Sequence, residues 1–192
     1  IHAAENGHYA IMSPTSHCYI DYPLDAIDLK KVYSFNPIPD SLEKEKHSFI
    51  LGGEVNMWTE RVPDEDNLDS KVFPRMMALS EVLWTGDERP EYDDFLDRVY
   101  RHFPILDSAG IKYGAEAIPL SMTYRNDTVI IDKQIRDISV EYSRIYTRGD
   151  AELDRLSSNS SPLEQYSGPF ELNADEFVIA RAIKDDKPYG SE

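Results

Sequence analysis

Two short segments of the sequence, residues 16–22 and 56–60, each carry an aromatic and an acidic residue two positions apart. An indole ring packs against the apolar C–H face of a pyranose, while carboxylates accept hydrogen bonds from its hydroxyl groups. A phenol donates a hydrogen bond to a carbonyl. These residue types therefore favour binding of a sugar. The four candidate residues are Tyr19, Asp21, Trp58 and Glu60.

The elements that precede these segments are predicted to position them. Residues 9–12 and 49–51 are short apolar runs bounded by turn residues, which is typical of strands buried on both faces. If the strands continue into the candidate segments, residues two apart share a face and the four side chains converge at the mouth of a barrel. The alternative, that the aromatics are core residues and the carboxylates lie on solvated loops, is favoured for any one of them taken alone.

The apolar pattern in the middle of the sequence predicts two helices. Apolar residues recur at three- and four-residue spacing over residues 72–84, with Pro74 in a first turn. A second helix is expected from near Asp93 to Gly110, with Pro104 kinking or splitting it. Strand, loop, strand and helix together indicate α/β organisation.

Beyond residue 113 the pattern changes to short strands, predicted at residues 128–131, 138–146 and 177–183, with a turn-rich loop at 157–162. We predict two domains. Residues 1–114 would be the α/β part, and residues 115–192 a small all-β module.

Composition excludes several function classes. The formal charge of −16 opposes binding to nucleic acid or an anionic membrane. No segment approaches the roughly 20 apolar residues that span a bilayer. The single cysteine, Cys18, cannot form an internal disulfide, and we expect it to be a buried apolar residue rather than the partner of His17 in a nucleophile pair. We predict no metal and no nucleotide, because the histidines lack ligand spacing and no Gly-rich phosphate loop occurs.

Four motifs, in order along residues 1 to about 113, resemble the end of the catalytic barrel of family 20 glycoside hydrolases, the β-N-acetylhexosaminidases. They are AIMSPTSHCYID at 10–21, VYSFNPIP at 32–39, ILGGEVNMWTE at 50–60 and FPRMMALSEVLW at 73–84. The resemblance implies the last strands and helix of a TIM (β/α)8 barrel. It implies no cofactor.

The resemblance also implies a reaction, the hydrolysis of terminal β-linked N-acetylglucosamine or N-acetylgalactosamine. The substrate's own 2-acetamido oxygen attacks the anomeric carbon in this family, and retention results. By resemblance Tyr19 would hold the acetamido carbonyl, Asp21 and Glu60 would bind hydroxyls on the C4 and C6 side, and Trp58 would wall the sugar ring.

The family's catalytic Asp-Glu pair is not expected in this chain. The adjacent acidic pairs at 64–65, 87–88 and 175–176 lack the Gly-rich strand that precedes the family's pair. We therefore expect a fragment of a longer enzyme, as the start at Ile1 also suggests, and expect the chain alone to be inactive. The parent protein is expected outside the cytoplasm, periplasmic or secreted.

The C-terminal part resembles, more weakly, the β-sandwich module that follows such barrels in chitobiase-like enzymes. The resemblance rests on residues 145–147, 166–170 and 178–182, whereas Arg148-Gly149-Asp150 departs from the module's usual Asp-Gly turn. A structural role is favoured over contact with carbohydrate, and the chain's end is expected to truncate the module.

Two other functions stay open. One is a non-catalytic glycan-binding or structural protein with a glycosidase-like pocket. The other is a barrel glycosidase that uses two protein carboxylates, which would cleave sugars lacking the 2-acetamido group.

Overall fold

The structure is a computed structural model that describes residues 1–146, 162–174 and 176–189. The chain divides into two compact units, Ile1–Ala117 and Ile118–Glu192, which meet three positions beyond the boundary expected from the sequence. The turn at 148–150, Asp175 and most of the expected loop at 157–162 lie outside the described residues.

The first unit mixes short helices with two parallel strands. In strands β1 and β2, Ala10 lies opposite Ile50 and Met12 opposite Gly53, with a shift of register between Ala10 and Ile11. Its helices and strands are α1 (His2–Glu5), β1 (Ala10–Met12), α2 (Thr15–Cys18), α3 (Leu29–Tyr33), β2 (Ile50–Gly53), α4 (Glu65–Val72), α5 (Arg75–Thr85) and α6 (Tyr92–Ala109). Three 3₁₀ helices lie at Lys44–Phe49, Thr59–Arg61 and Gly86–Glu88.

Within this chain β1 and β2 are covered on one face only, not on both as the sequence predicts. Leu83 of α5 and Phe35 cover one face so closely that a Cβ added to Gly53 would lie 3.3 Å and 3.2 Å from them. On the strands themselves Ile11 is 58% exposed and Leu51 63% exposed. An apolar run predicts a strand, but whether a second layer covers it depends on residues distant in sequence.

Helix α5 begins three residues later than the periodicity predicts. Phe73, which precedes Pro74, has extended backbone (φ −104°, ψ 134°), so α4 ends before it and α5 starts after the proline. A proline disfavours helical backbone in the residue before it. The buried face of α5 then runs at helical spacing through Arg75, Ala78, Leu79 and Val82.

The second predicted helix is confirmed as α6, which buries Phe95, Leu96 and Val99. Gly110 ends it in the left-handed conformation at φ 76°. Pro104 lies inside one continuous helix and does not split it. The buried faces of α3, α5 and α6 share one apolar cluster with the segment that follows α2.

The second unit contains two antiparallel sheets. The three-stranded sheet has the order β3-β4-β7 and the four-stranded sheet the order β6-β5-β8-β9. Val129, Ile131, Val140 and Tyr142 from the two sheets form one apolar cluster, an arrangement compatible with the predicted sandwich module, which stays a prediction. The strands are β3 (Leu120–Arg125), β4 (Thr128–Lys133), β5 (Ser139–Tyr146), β6 (Glu164–Gln165), β7 (Phe170–Glu171), β8 (Glu176–Lys184) and β9 (Lys187–Tyr189).

Strands β3 and β9 were not predicted because their hairpin turns carry no glycine. Asn126 and Asp127 join β3 to β4, and Asp185 and Asp186 join β8 to β9. All four residues have positive φ, between 48° and 60°, as a two-residue type I′ turn requires. Asn and Asp tolerate this backbone without the Asn-Gly or Asp-Gly signal that marks most such turns.

Candidate functional site

The two candidate segments lie side by side. Tyr19 and Asn56 form an isolated parallel bridge beyond the carboxyl ends of β1 and β2. The Ile20 N–H donates to the Asn56 carbonyl at 3.0 Å, and the Asn56 N–H donates to the Cys18 carbonyl at 2.7 Å. The structure therefore brings the segment of Tyr19 and Asp21 next to the segment of Trp58 and Glu60, at the strand ends where α/β barrels build their sites.

The strand alternation expected within the two segments is wrong, because neither continues as a strand around the bridge. Residues 15–18 are helical, and residues 20 and 21 form a turn closed by the Tyr22 N–H on the Tyr19 carbonyl at 3.2 Å. Trp58 is the N-cap of the 3₁₀ helix Thr59–Arg61, which contains Glu60. Alternation by two therefore does not decide which way these side chains point.

Asp21 is the most buried of the four candidates, at 6% exposure. Its Oδ1 is buried with no hydrogen-bond partner in the described part of the chain. Most buried polar atoms are hydrogen-bonded, and leaving a charged one unsatisfied is costly. A donor such as a sugar hydroxyl reaching Oδ1 would remove that cost.

Trp58 and Glu60 are exposed, with 54% of Trp58 accessible to solvent. Tyr19 is half-buried, and its ring packs against the core cluster with its centroid 6.3 Å from that of Tyr22. Its hydroxyl makes no hydrogen bond among the described residues. The adjacent loops thus hold an exposed indole and an exposed carboxylate beside a half-buried phenol and a buried carboxylate.

Two further residues, which the sequence patterns did not single out, hold these loops. The Arg61 guanidinium lies 5.1 Å from the centre of the Tyr22 ring and so connects the loop after Glu60 to the loop after Asp21. Arg75 is 1% exposed and binds backbone carbonyls around Asp21. The sequence feature that could have identified Arg75 is its position as a charged residue on the apolar face of a predicted helix.

Neither of two surface cavities contains the four candidate residues. A cavity of about 420 Å³ lies beside the site and is bordered by Thr15, Ser16, Tyr22, Ala26, Ile27 and Lys31. A second, of about 500 Å³, lies between α5 and α6 and includes Glu81, Trp84 and Arg98.

Cys18 and His17 do not form a nucleophile pair. Cys18 is fully buried, and burial, reinforced by the Glu54 charge, raises the pKa of its thiol to about 11. The His17 ring instead lies with Nδ1 2.8 Å from the Ser16 hydroxyl, and burial followed by the Lys31 charge lowers its pKa. The prediction that Cys18 is a buried apolar residue is confirmed.

We expect the Cys18 thiol to react with a disulfide reagent about 100-fold more slowly in the native chain than in urea at pH 8, because it is buried and largely protonated. The chain has a single cysteine, so the absorbance of the released thiol reports this site alone. Equal rates in the two conditions would contradict the burial.

No cluster of three or more His, Cys, Asp or Glu residues suited to a metal occurs in the described residues. Across the same ranges, no helix combines the length and apolarity needed to cross a membrane.

Comparison with known proteins relates the first unit to one family. Residues 1–87 match the model for the catalytic domain of glycosyl hydrolase family 20. The chain is 31% identical over 125 residues to a β-hexosaminidase of Porphyromonas gingivalis, a match that covers 59% of the chain and 16% of that protein. It is 33% identical over 127 residues to a β-N-acetylhexosaminidase of Cellulomonas fimi, covering 59% of the chain and 25% of that protein.

Solved structures relate the chain to the same family. The N-acetyl-β-hexosaminidase of Streptomyces plicatus, solved in complex with Thio-NAglucal, aligns with a TM-score of 0.54 and 25% identity over 60% of the chain and 25% of its own length. The exo-β-N-acetylglucosaminidase of Vibrio harveyi, solved with N-acetylglucosamine, aligns with a TM-score of 0.54 over 60% of the chain and 20% of its own length. The chain therefore spans a quarter or less of each of these four relatives.

Proposed function

We propose, from the premise that residues 1–87 belong to glycosyl hydrolase family 20, that the chain forms part of the sugar pocket of a β-N-acetylhexosaminidase. The enzyme containing it would hydrolyse terminal β-linked N-acetylglucosamine or N-acetylgalactosamine. The observation that carries the proposal is the parallel bridge between Tyr19 and Asn56. It joins the loop of Asp21, whose buried Oδ1 has no partner among the described residues, to the loop of Trp58 and Glu60.

The four candidate residues take positioning roles in this proposal. The Tyr19 hydroxyl donates to the acetamido carbonyl, so that the acetamido oxygen is held in line with the anomeric carbon. Attack by that oxygen expels the aglycone and forms an oxazolinium ion, which water then opens with retention. Holding the nucleophile in line removes entropy from the barrier.

Asp21 and Glu60 bind hydroxyls on the C4 and C6 side, and Trp58 stacks on the ring. The buried Oδ1 of Asp21 supports this role, because a hydroxyl donor would satisfy an otherwise unpaired oxygen. The exposed indole of Trp58 supports stacking on the apolar face of the ring.

The general acid is proposed to come from outside this chain. Asp64 caps α4 by accepting the Asn67 N–H at 2.7 Å, and Glu65 lies in that helix's first turn. Asp87 and Glu88 lie on an exposed 3₁₀ helix. Of the third pair, Glu176 accepts the Asn173 N–H at 2.9 Å, whereas Asp175 lies outside the described residues. Inactivity of the chain alone, the sandwich module and an extracytoplasmic location stay predictions.

The test is turnover of a chromogenic N-acetyl-β-glucosaminide by this chain and by the full-length product. The proposal is supported if only the full-length protein is active and if it does not cleave the matching glucoside, which lacks the 2-acetamido group. Glu60→Ala should weaken turnover, whereas Glu88→Ala, an exposed glutamate on another 3₁₀ helix, should not. A full-length protein that binds the sugar without cleaving it would favour a glycan-binding function, and cleavage of the plain glucoside would favour two protein carboxylates.

A further inference from the structure

Arg75 is the largest fully buried side chain of the described residues, and its guanidinium lies beneath the loop that carries Asp21. Nη2 donates to the Ile20 carbonyl at 2.6 Å, and Nη1 donates to the carbonyls of Tyr22 at 3.0 Å and Ile27 at 2.9 Å. Nε donates to the Lys71 carbonyl at 2.9 Å, which fixes the guanidinium plane against α4. One side chain thus anchors both ends of the segment from residue 20 to residue 27.

A second buried cation binds the carbonyl between those two. Lys71, 6% exposed at the end of α4, donates from Nζ to the Asp21 carbonyl at 3.2 Å. Three consecutive carbonyls, at residues 20, 21 and 22, therefore each accept a charge-assisted hydrogen bond from a helix-borne cation. Their orientation fixes the peptide planes on both sides of the Asp21 Cα, and with them the direction of the Cα–Cβ bond from which the carboxylate extends.

The geometry requires a guanidinium at position 75. Its planar fork presents several donors in fixed directions, whereas an ammonium is a single point of charge that cannot reach separate carbonyls in that pattern. A buried arginine that served only to fill the core would be poorly suited to it, because burial of charge is costly.

We infer that Arg75, assisted by Lys71, is a positioning residue for the Asp21 carboxylate. The inference rests on the proposed function, since Asp21 is taken as a sugar ligand. Arg75 touches no substrate, and its effect on hydrolysis passes through Asp21 alone.

The test is a double-mutant cycle in the full-length product with the N-acetyl-β-glucosaminide as substrate. Arg75→Lys is expected to lower kcat/KM by roughly 10- to 100-fold, the scale at which small misplacements of a positioned group act. In an Asp21→Ala background the same change should have almost no further effect, because the group it positions is gone. If the loss of kcat/KM in the double variant equals the product of the two single losses, the inference is overturned.

Lys71→Met provides an independent arm if Arg75→Lys does not fold. It keeps the Lys71 carbonyl that binds Arg75 and removes only the donor to the Asp21 carbonyl. We expect a smaller loss in kcat/KM, on the order of threefold to tenfold, again absent in the Asp21→Ala background. If Lys71→Met still lowers kcat/KM in the Asp21→Ala background, the hydrogen bond to the Asp21 carbonyl does not act by positioning Asp21.

Arg89→Lys is the matched control. Arg89 also binds two backbone carbonyls, those of Tyr33 at 2.7 Å and Phe35 at 2.8 Å, but on a segment without candidate site residues. Its replacement should lower the melting temperature without lowering kcat/KM. If the unaltered full-length protein is inactive, the proposed function fails; if it is active and the cycle is additive, only the positioning inference fails.

Discussion

Replacing Tyr19 with Phe in the full-length product is expected to lower kcat by about 100- to 1,000-fold, the cost of losing one preorganised donor at a reacting group. The change removes only the hydroxyl, which makes no hydrogen bond among the described residues. The ring, which packs against the core, is retained. The loss should therefore appear in kcat, with the melting temperature nearly unchanged.

Tyr22→Phe is the control for this result. Tyr22 lies beside Tyr19, with ring centroids 6.3 Å apart, and its own ring still supports Arg61 after the change. We expect kcat to stay within about threefold of the parent value, as for substitutions that remove no transition-state contact. Equal losses in the two variants would mean that Tyr19 has no special role at the acetamido group.

Replacing Gly114 with Ala is expected to destabilise the first unit by about 3 kcal/mol, at the upper end of overpacking costs. An added Cβ would lie 2.4 Å from the Ser70 carbonyl oxygen and 3.1 Å from its carbon. Both atoms belong to the backbone of α4, which cannot rotate away as a side chain does. The free energy of unfolding, measured in urea by circular dichroism, should fall accordingly.

Gly168→Ala is the control, because nothing lies within 4 Å of a Cβ added there. Its unfolding free energy should change by less than about 0.5 kcal/mol. Ser70 immediately precedes Lys71, so the Gly114 variant of the full-length product should also lose activity through the displaced anchor of Asp21. A stable Gly114→Ala variant would mean that α4 adjusts without cost.

Local patterns predicted the elements whose signals lie within a few residues. Helix α6 followed from the spacing of Phe95 and Val99 and from the glycine at its end. Strand β8 followed from a β-branched and aromatic run. The hairpin strand β3 was not predicted from the sequence. Its turn has Asn126 and Asp127 at positive φ, where a glycine usually marks such a turn.

The roles of the four candidate site residues stay predictions. The four sugar-binding candidates were identified by residue type, and the comparisons support the family from which their roles were inferred. The strand geometry assigned to them was wrong, since a helix and a turn surround Tyr19 and a 3₁₀ helix carries Glu60. Alternation in sequence did not reveal these conformations, because turns and helices of three or four residues leave no periodic signal.

The sequence by itself determined the α/β character of the first part, the main helices, the buried Cys18 and the residue types available to a sugar. Only the tertiary structure decided that Ile11 and Leu51 are exposed and that Arg75 anchors the loop of Asp21. The reason is the range of the interactions. Periodicity and turn chemistry act over a few residues, whereas the guanidinium of Arg75 binds carbonyls that precede it by 48 to 55 positions and meet it only when the chain is folded.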